Sequence, residues 1–254
     1  MKLKLLRNAT LKLDYGGRTF LLDPDFGPRH SRRSFTGRSQ NPMVDLPEPI
    51  EDIVAGVDTV IVSHLHADHF DEVAKERVPK NLPVICRPGD EAAIAQAGFS
   101  SITAIDCFVR LGPIILKRHP AQHGTGAVVE KMGPVMGLSF EAPNEPTLYW
   151  CGDSVLYPPL RDAIAATGPD IIVTHSCGAM WDNTLIVMDE EQTLAVAEAF
   201  PRATLIATHM EALDHATVSR AALRKAAKER GIDTKRLRIP LDGETIEAGV
   251  PALV

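Results

Sequence analysis

The segment Val62-Ser63-His64-Leu65-His66-Ala67-Asp68-His69 constrains this chain more than any other. Of the nine histidines, three fall within six residues, together with a carboxylate. They follow Asp58–Ser63, whose uninterrupted apolar centre at strand length predicts a buried strand. The polar cluster therefore lies at the C-terminal end of a strand, where α/β folds place their sites. Burying such groups is unfavourable unless something compensates them, and a divalent cation does so. Imidazole and carboxylate are the usual ligand set for zinc and also serve manganese or iron. His64 and His66 are two apart on extended chain, so they point the same way and can chelate one ion. Asp68 and His69 follow as the chain turns and can face a second.

The rest of the chain reads as α/β. Leu3–Leu6, Leu11–Asp14 and Arg18–Leu22 predict a meander of short strands, stopped at Leu22-Asp23-Pro24. A long loop from Phe26 to about Pro49 follows, rich in proline and glycine, and a loop of that length is usually functional or disordered. Strands are predicted at Pro83–Cys86, Ile102–Val109, Ile114–Lys117, Val135–Phe140, Thr147–Trp150, Ile171–Thr174 and Ala203–Ala207. Helices are predicted at Asp90–Ala97, Leu160–Ala166, Glu190–Phe200 and Ala216–Arg230, the last closed by Gly231. With 254 residues, no internal repeat and no linker, one domain spanning 1–254 is expected.

His64-Leu65-His66-Ala67-Asp68-His69 resembles the signature of the metallo-β-lactamase-fold hydrolases. The resemblance implies a four-layer αββα sandwich, two mixed sheets flanked by helices, with up to two metals at one edge. It also implies further ligands at later strand ends. His123, in Pro120-Ala121-Gln122-His123-Gly124, is favoured to complete the first site with His64 and His66, His119 being the competing choice. Asp153, in Cys151-Gly152-Asp153, is the expected bridge between the ions; Cys151 is read as a core residue beside it. His209, after Ala203–Ala207, joins Asp68 and His69 at the second. Asp23 matches an acidic position whose role would be to accept a ring N–H from a ligand histidine, the alternative being a turn cap. Asn41–Pro47 and His209–His215 are similar to bacterial members related to ascorbate-6-phosphate lactonase. The chain is too short for the large inserted domain of the nucleases of this fold. His66 stands where its diiron flavoproteins carry an acidic residue.

These readings predict a dinuclear metal-dependent hydrolase holding two divalent ions, zinc first, with manganese or iron as alternatives. A hydroxide bridging the ions would attack a small ester, lactone or phosphoester. Asp68 and His215 are the catalytic candidates, Asp68 as ligand and orienter of the nucleophile, His215 as proton donor or substrate contact, or merely a helix-start residue. His175, with Met180 and Trp181, either lines the substrate pocket or is structural. Arg29, His30, Arg32, Arg33 and Arg38 lie in the long loop; Arg32 and Arg33 are the candidate contacts for an anionic substrate, against the alternative of a solvated loop.

Charge and cysteine content narrow the alternatives. With 27 basic and 33 acidic residues the net charge is −6, which disfavours a nuclease, since nucleic-acid binders carry a basic surplus. A metal-binding protein without turnover is the other alternative. Cys86, Cys107, Cys151 and Cys177 form no CxxC pair and are expected to be reduced core thiols. No run approaches the ~18 apolar residues of a membrane span, and the N-terminus lacks a signal-peptide pattern. The expected setting is cytoplasmic, with a small-molecule substrate, no nucleic acid and no membrane partner; a homo-oligomer stays open. Without an export signal, β-lactam hydrolysis is disfavoured.

Overall fold

A computed structural model describes residues 1–34 and 36–249. In chain order the elements are β1 (Lys2–Arg7), β2 (Thr10–Tyr15), β3 (Arg18–Leu22), α1 (Ile50–Val54), β4 (Thr59–Val62), α2 (Glu72–Arg77), β5 (Val84–Cys86), α3 (Glu91–Gln96) and β6 (Ile102–Ala104). There follow β7 (Phe108–Leu111), β8 (Ile114–His119), α4 (Val128–Met132), β9 (Gly137–Glu141), β10 (Leu148–Trp150), α5 (Pro158–Thr167) and β11 (Ile171–His175). The chain ends through β12 (Met180–Trp181), β13 (Thr184–Leu185), α6 (Glu190–Ala199), β14 (Thr204–Thr208), α7 (Arg220–Glu229), β15 (Leu237–Arg238) and β16 (Thr245–Glu247).

Two seven-stranded mixed sheets result, ordered β16-β1-β2-β3-β4-β5-β6 and β15-β14-β11-β10-β9-β8-β7. In the first, β3 through β6 pair in parallel and the β16–β3 half is antiparallel. In the second, β10, β11, β14 and β15 are parallel and β7–β10 antiparallel.

The period-2 alternation of side chains assigns each strand's two faces. Ile61 on β4, Leu148 and Trp150 on β10, Val173 on β11 and Ile206 on β14 join Leu13, Phe20 and Phe140 in one core between the sheets. Their sequence neighbours point outward: Val60 and Val62 pack with Ile53, Ala74 and Ile94 of the helices on the first sheet. Tyr149, Ile172 and Leu205 pack with Ile164, Leu194 and Leu223 on the second. The result is the expected four-layer αββα sandwich.

Some elements differ from expectation. Ile102–Val109 is two strands, because the chain leaves the first sheet at Ala104 and enters the second at Phe108. The last helix begins at Arg220, capped by the Ser219 side chain on the Ala222 N–H. Thr217 and Val218 instead donate to the Cys177 carbonyl, which holds that stretch out of the helix. The short helices α1, α2 and α4 had no clear apolar period. Among the described residues the long loop contains one bridge, Arg32 with Asn41, and Cys107, expected in the core, is exposed between β6 and β7. Among the described residues no helix is long and apolar enough to cross a membrane.

Candidate metal centre

β1, β3, β4, β8, β10, β11 and β14 all deliver their C-terminal ends to one edge of the sandwich, and the chemistry collects there. Two sets of side chains have ligand atoms within 4.8 Å of one another: His64, His66 and His123, and Asp68, His69, Asp153 and His209. All are buried except the half-buried His66 and Asp68. Asp153 Oδ2 joins the two sets, at 3.2 Å from His69 Nε2, 3.4 Å from His123 Nε2 and 4.0 Å from His64 Nε2. Asp68 Oδ2 stands 3.3 Å from His209 Nε2 and 3.5 Å from His69 Nε2.

Local sequence explains the placements. Gly152 has φ +61°, and a Cβ there would lie 2.5 Å from the Met136 carbonyl oxygen, so only glycine lets the chain turn off β10 and present Asp153. Gly124, at φ +98°, packs under Ile186 and Val128 just after His123. His209 itself adopts φ +63° and Asp23 φ +46°, conformations non-glycine residues adopt mainly where the surrounding structure enforces them.

Outer partners set the ring tautomers. His123 Nδ1 lies 2.8 Å from the Ile186 carbonyl oxygen, which only accepts, so Nδ1 carries the proton. His69 Nδ1 is 2.6 Å from Asp23 Oδ2, whose carboxylate also accepts from the Ser63 N–H and hydroxyl. His64 Nδ1 is 2.9 Å from Ser63 Oγ. The inner Nε2 atoms are left facing one another. His64 Nε2 is buried with no hydrogen-bond partner, and His69 Nε2 and His209 Nε2 lie 3.3 Å apart. Facing lone pairs of this kind repel unless a cation or proton lies among them, so the donor set fits divalent metal.

The electrostatics agree. Burial, with the neighbouring His69 and His66, lowers the His64 pKa well below its usual value, and burial lowers that of His123. For His69 and His209 burial works the same way, but the Asp153 carboxylate, with Asp68, outweighs it and raises both well above the usual value. Burial opposes the charge of Asp153 and Asp68, yet the adjacent imidazoles keep both well below the carboxylate range. A dication would take the place of the protons on His69 and His209, because a ligating nitrogen must be bare.

The remaining candidates separate. A cavity of about 340 Å³ opens over both sets, lined by Arg33, Trp181, His215 and the apolar Met132, Ile186, Val187 and Leu213 among others. Arg32 reaches its rim, but its guanidinium is spent on Asp25, at 2.5 and 2.8 Å, with Asp71 at 3.5 Å. Arg33 is exposed and makes no ion pair among the described residues. His215 Nδ1 is 3.8 Å from Asp214 Oδ1, and burial lowers its pKa. His119 turns away to Ser139 Oγ at 2.8 Å and joins neither set. Cys151 is fully buried, with burial pushing its thiol pKa up, and is not among the grouped ligands. His175 does not line the cavity: it is fully buried, its Nδ1 2.6 Å from Asp153 Oδ1, so its substrate-contact role gives way to one behind the carboxylate. Met180, too, is absent from the lining. The same bond fixes Asp153 Oδ1, which also stands 3.4 Å from His209 Nε2, while Oδ2 faces His69 of one set and His64 and His123 of the other.

Sequence reasoning passed over Asn8, whose Nδ2 lies 3.3 Å from the Asp68 carbonyl and whose own carbonyl accepts from the His209 N–H. It also passed over Ser63, Trp150 and the Ile186 carbonyl. Only Ser63 carried a signal, its position directly before His64.

Residues 18–210 match the family model described as "Beta-lactamase superfamily domain". The UPF0173 protein YddR of Bacillus subtilis is 36% identical over 252 residues, 96% of this chain and 99% of that protein. The crystal structure of isothiocyanate hydrolase from Delia radicum gut bacteria is similar with a TM-score of 0.93 and 34% identity, covering 98% of this chain and 100% of that one. That of a possible metal-dependent hydrolase from Veillonella parvula has a TM-score of 0.93 and 32% identity, covering 97% and 98%.

Proposed function

Since the chain belongs to the beta-lactamase superfamily domain family and is a metal-dependent hydrolase, we propose that it holds two divalent ions and hydrolyses a small substrate carrying an electrophilic carbon on an apolar body. The observation that carries this reading is the junction of the two ligand sets at Asp153 Oδ2 beneath a largely apolar cavity. His64, His66 and His123 would hold one ion, and Asp68, His69 and His209 the other, with Asp153 between them. When bound, such ions supply an activated water near neutral pH and a Lewis acid for the substrate oxygen. Zinc is the first candidate, with manganese or iron as alternatives for the same donors.

The chain's own residues do the rest. Asp68, half-buried at the cavity floor, orients the attacking water. Burial lowers the His215 pKa and so favours the neutral imidazole; from the cavity wall it relays a proton from the attacking water to the leaving group. Trp181, Met132, Ile186, Val187 and Leu213 exclude water around the apolar body, and Arg33 at the mouth favours substrates with an outward anionic group. With Arg32 committed to Asp25, Arg33 is the one lining guanidinium without an ion pair among the described residues, which favours esters and lactones over phosphoesters.

A second reading comes from the Delia radicum gut-bacterial relative: an isothiocyanate also presents an electrophilic carbon on an apolar group. The test is metal analysis of untagged protein, followed by turnover of esters, lactones, an aryl isothiocyanate and phosphodiesters by wild type and Asp68→Ala. Two ions per chain and metal-dependent turnover of a carbon electrophile, lost in Asp68→Ala, is the expected result. Turnover confined to phosphodiesters, or full metal occupancy with no turnover, overturns it.

A further inference from the structure

Behind Asp153, on the side away from the cavity, lie two buried groups that the chemistry above does not use. Trp150 ends β10 and His175 ends β11, neighbouring parallel strands in which Trp150 pairs with Val173. Residues 173 and 175 share a face, so His175 stands next along from Val173 on the side that carries the Trp150 indole. The indole Nε1 is 3.1 Å from His175 Nε2, and His175 Nδ1 is 2.6 Å from Asp153 Oδ1; both side chains are fully buried.

Donor inventory orders this chain. An indole N–H only donates, so His175 Nε2 must accept, and the single proton of the neutral ring lies on Nδ1, aimed at Asp153. We propose that Trp150 and His175 act as a positioning pair that fixes the rotation of the Asp153 carboxylate, with Oδ1 held by His175 beside His209 Nε2 and Oδ2 turned toward His64, His69 and His123. Asp153 needs such a hold because it follows Gly152 in a left-handed turn, off the regular strand. A neutral donor also suits the place better than a lysine or arginine would, since it fixes the carboxylate without setting a positive charge beside two cations. Trp150 is the residue that selects this tautomer.

The inference rests on reading the two sets as metal sites, and its test keeps the two ideas apart. The variants are His175→Phe, which fills the volume without a donor, and His175→Asn, whose Nδ2 stands near the position of ring Nδ1. Asp153→Ala tests the metal reading itself. Zn²⁺ affinity is measured by chelator competition, kcat and KM by turnover, and folding by circular dichroism. His175→Phe is expected to weaken metal binding by about 10–100-fold, the range for residues that orient a ligand. Its kcat should fall with KM nearly unchanged, and His175→Asn should recover most of both. In ¹⁵N-histidine-labelled wild type, His175 should show the tautomer protonated on Nδ1, a readout that needs no variant to fold.

Wild-type metal affinity in His175→Phe, equal loss in the Phe and Asn variants, or an Nε2-protonated His175 would each overturn the positioning role. Unaltered metal binding in Asp153→Ala would instead overturn the metal reading on which it stands.

Discussion

Asp23 Oδ2 lies 2.6 Å from His69 Nδ1, so the ring that offers Nε2 to Asp68, Asp153 and His209 is held from behind by a buried carboxylate. That carboxylate is itself fixed by the N–H and hydroxyl of Ser63, one residue before the first histidine of the motif. Asp23→Asn exchanges one of its two acceptor oxygens for a donor, while asparagine still tolerates the left-handed φ of +46°. We expect the metal affinity of the set containing His69 to fall about 10–100-fold with the fold intact. Equilibrium dialysis against a graded chelator measures it, and an affinity equal to wild type would contradict the assignment.

The parts of this site legible in the sequence are those set by local pattern. A buried strand read from its apolar run carries its next residues to a known edge, so the ends of β4, β10 and β14 could be placed before any contact was known. What holds those residues was not legible. The Ile186 carbonyl that orients His123, the Asn8 amide beside Asp68 and the indole behind His175 act across sequence separations of 63, 60 and 25 residues. None has a local signature. The short helices α1, α2 and α4 were not read, since five or six residues carry little period; α3, equally short, was read from Asp90 at its start. His175 shows the limit best: a strand end predicts where the residue emerges, but not whether it faces the cavity or the back of a carboxylate.

Arg32 and Arg33 are neighbours with opposite fates, and their variants should separate. The Arg32 guanidinium lies against Asp25, which is fully buried and shared with Arg7 at 3.3 Å, and near Asp71. Arg32→Ala therefore leaves a buried carboxylate with half its compensation and is expected to lower stability by about 3 kcal/mol. Arg33→Ala removes an exposed cation and should leave the urea midpoint unchanged. It should raise KM for an anionic ester by roughly fivefold, the worth of one charge-assisted contact at a wet rim. Denaturation curves and initial rates decide; a destabilised Arg33→Ala with unchanged KM would reverse the two roles.

Asp214 clips the long loop to the mouth of the cavity. Its carboxylate accepts from the hydroxyls of Ser34 and Thr36, the N–H groups of Arg38 and Ser39, and the Asn41 amide, while its own N–H donates to Asn41 Oδ1. Burial alone would raise its pKa, but these hydrogen bonds, led by Ser34 and Thr36, hold it down at about 2. The unfolded carboxyl titrates at about 3.9, so the folded chain binds this proton less readily than the unfolded one. The stabilisation is therefore complete above pH 3.9, shrinks as the pH falls toward 2, and is nearly gone there. Asp214→Asn should be less stable than wild type by about 2 kcal/mol at pH 7, and the gap should close between pH 4 and pH 2. The same variant frees the segment bearing Arg33 and Arg38, so trypsin should cut there faster at neutral pH, with a raised KM and little change in kcat. A stability gap that stays constant with pH, or a loop equally resistant to trypsin in both proteins, would show that Asp214 does not hold it.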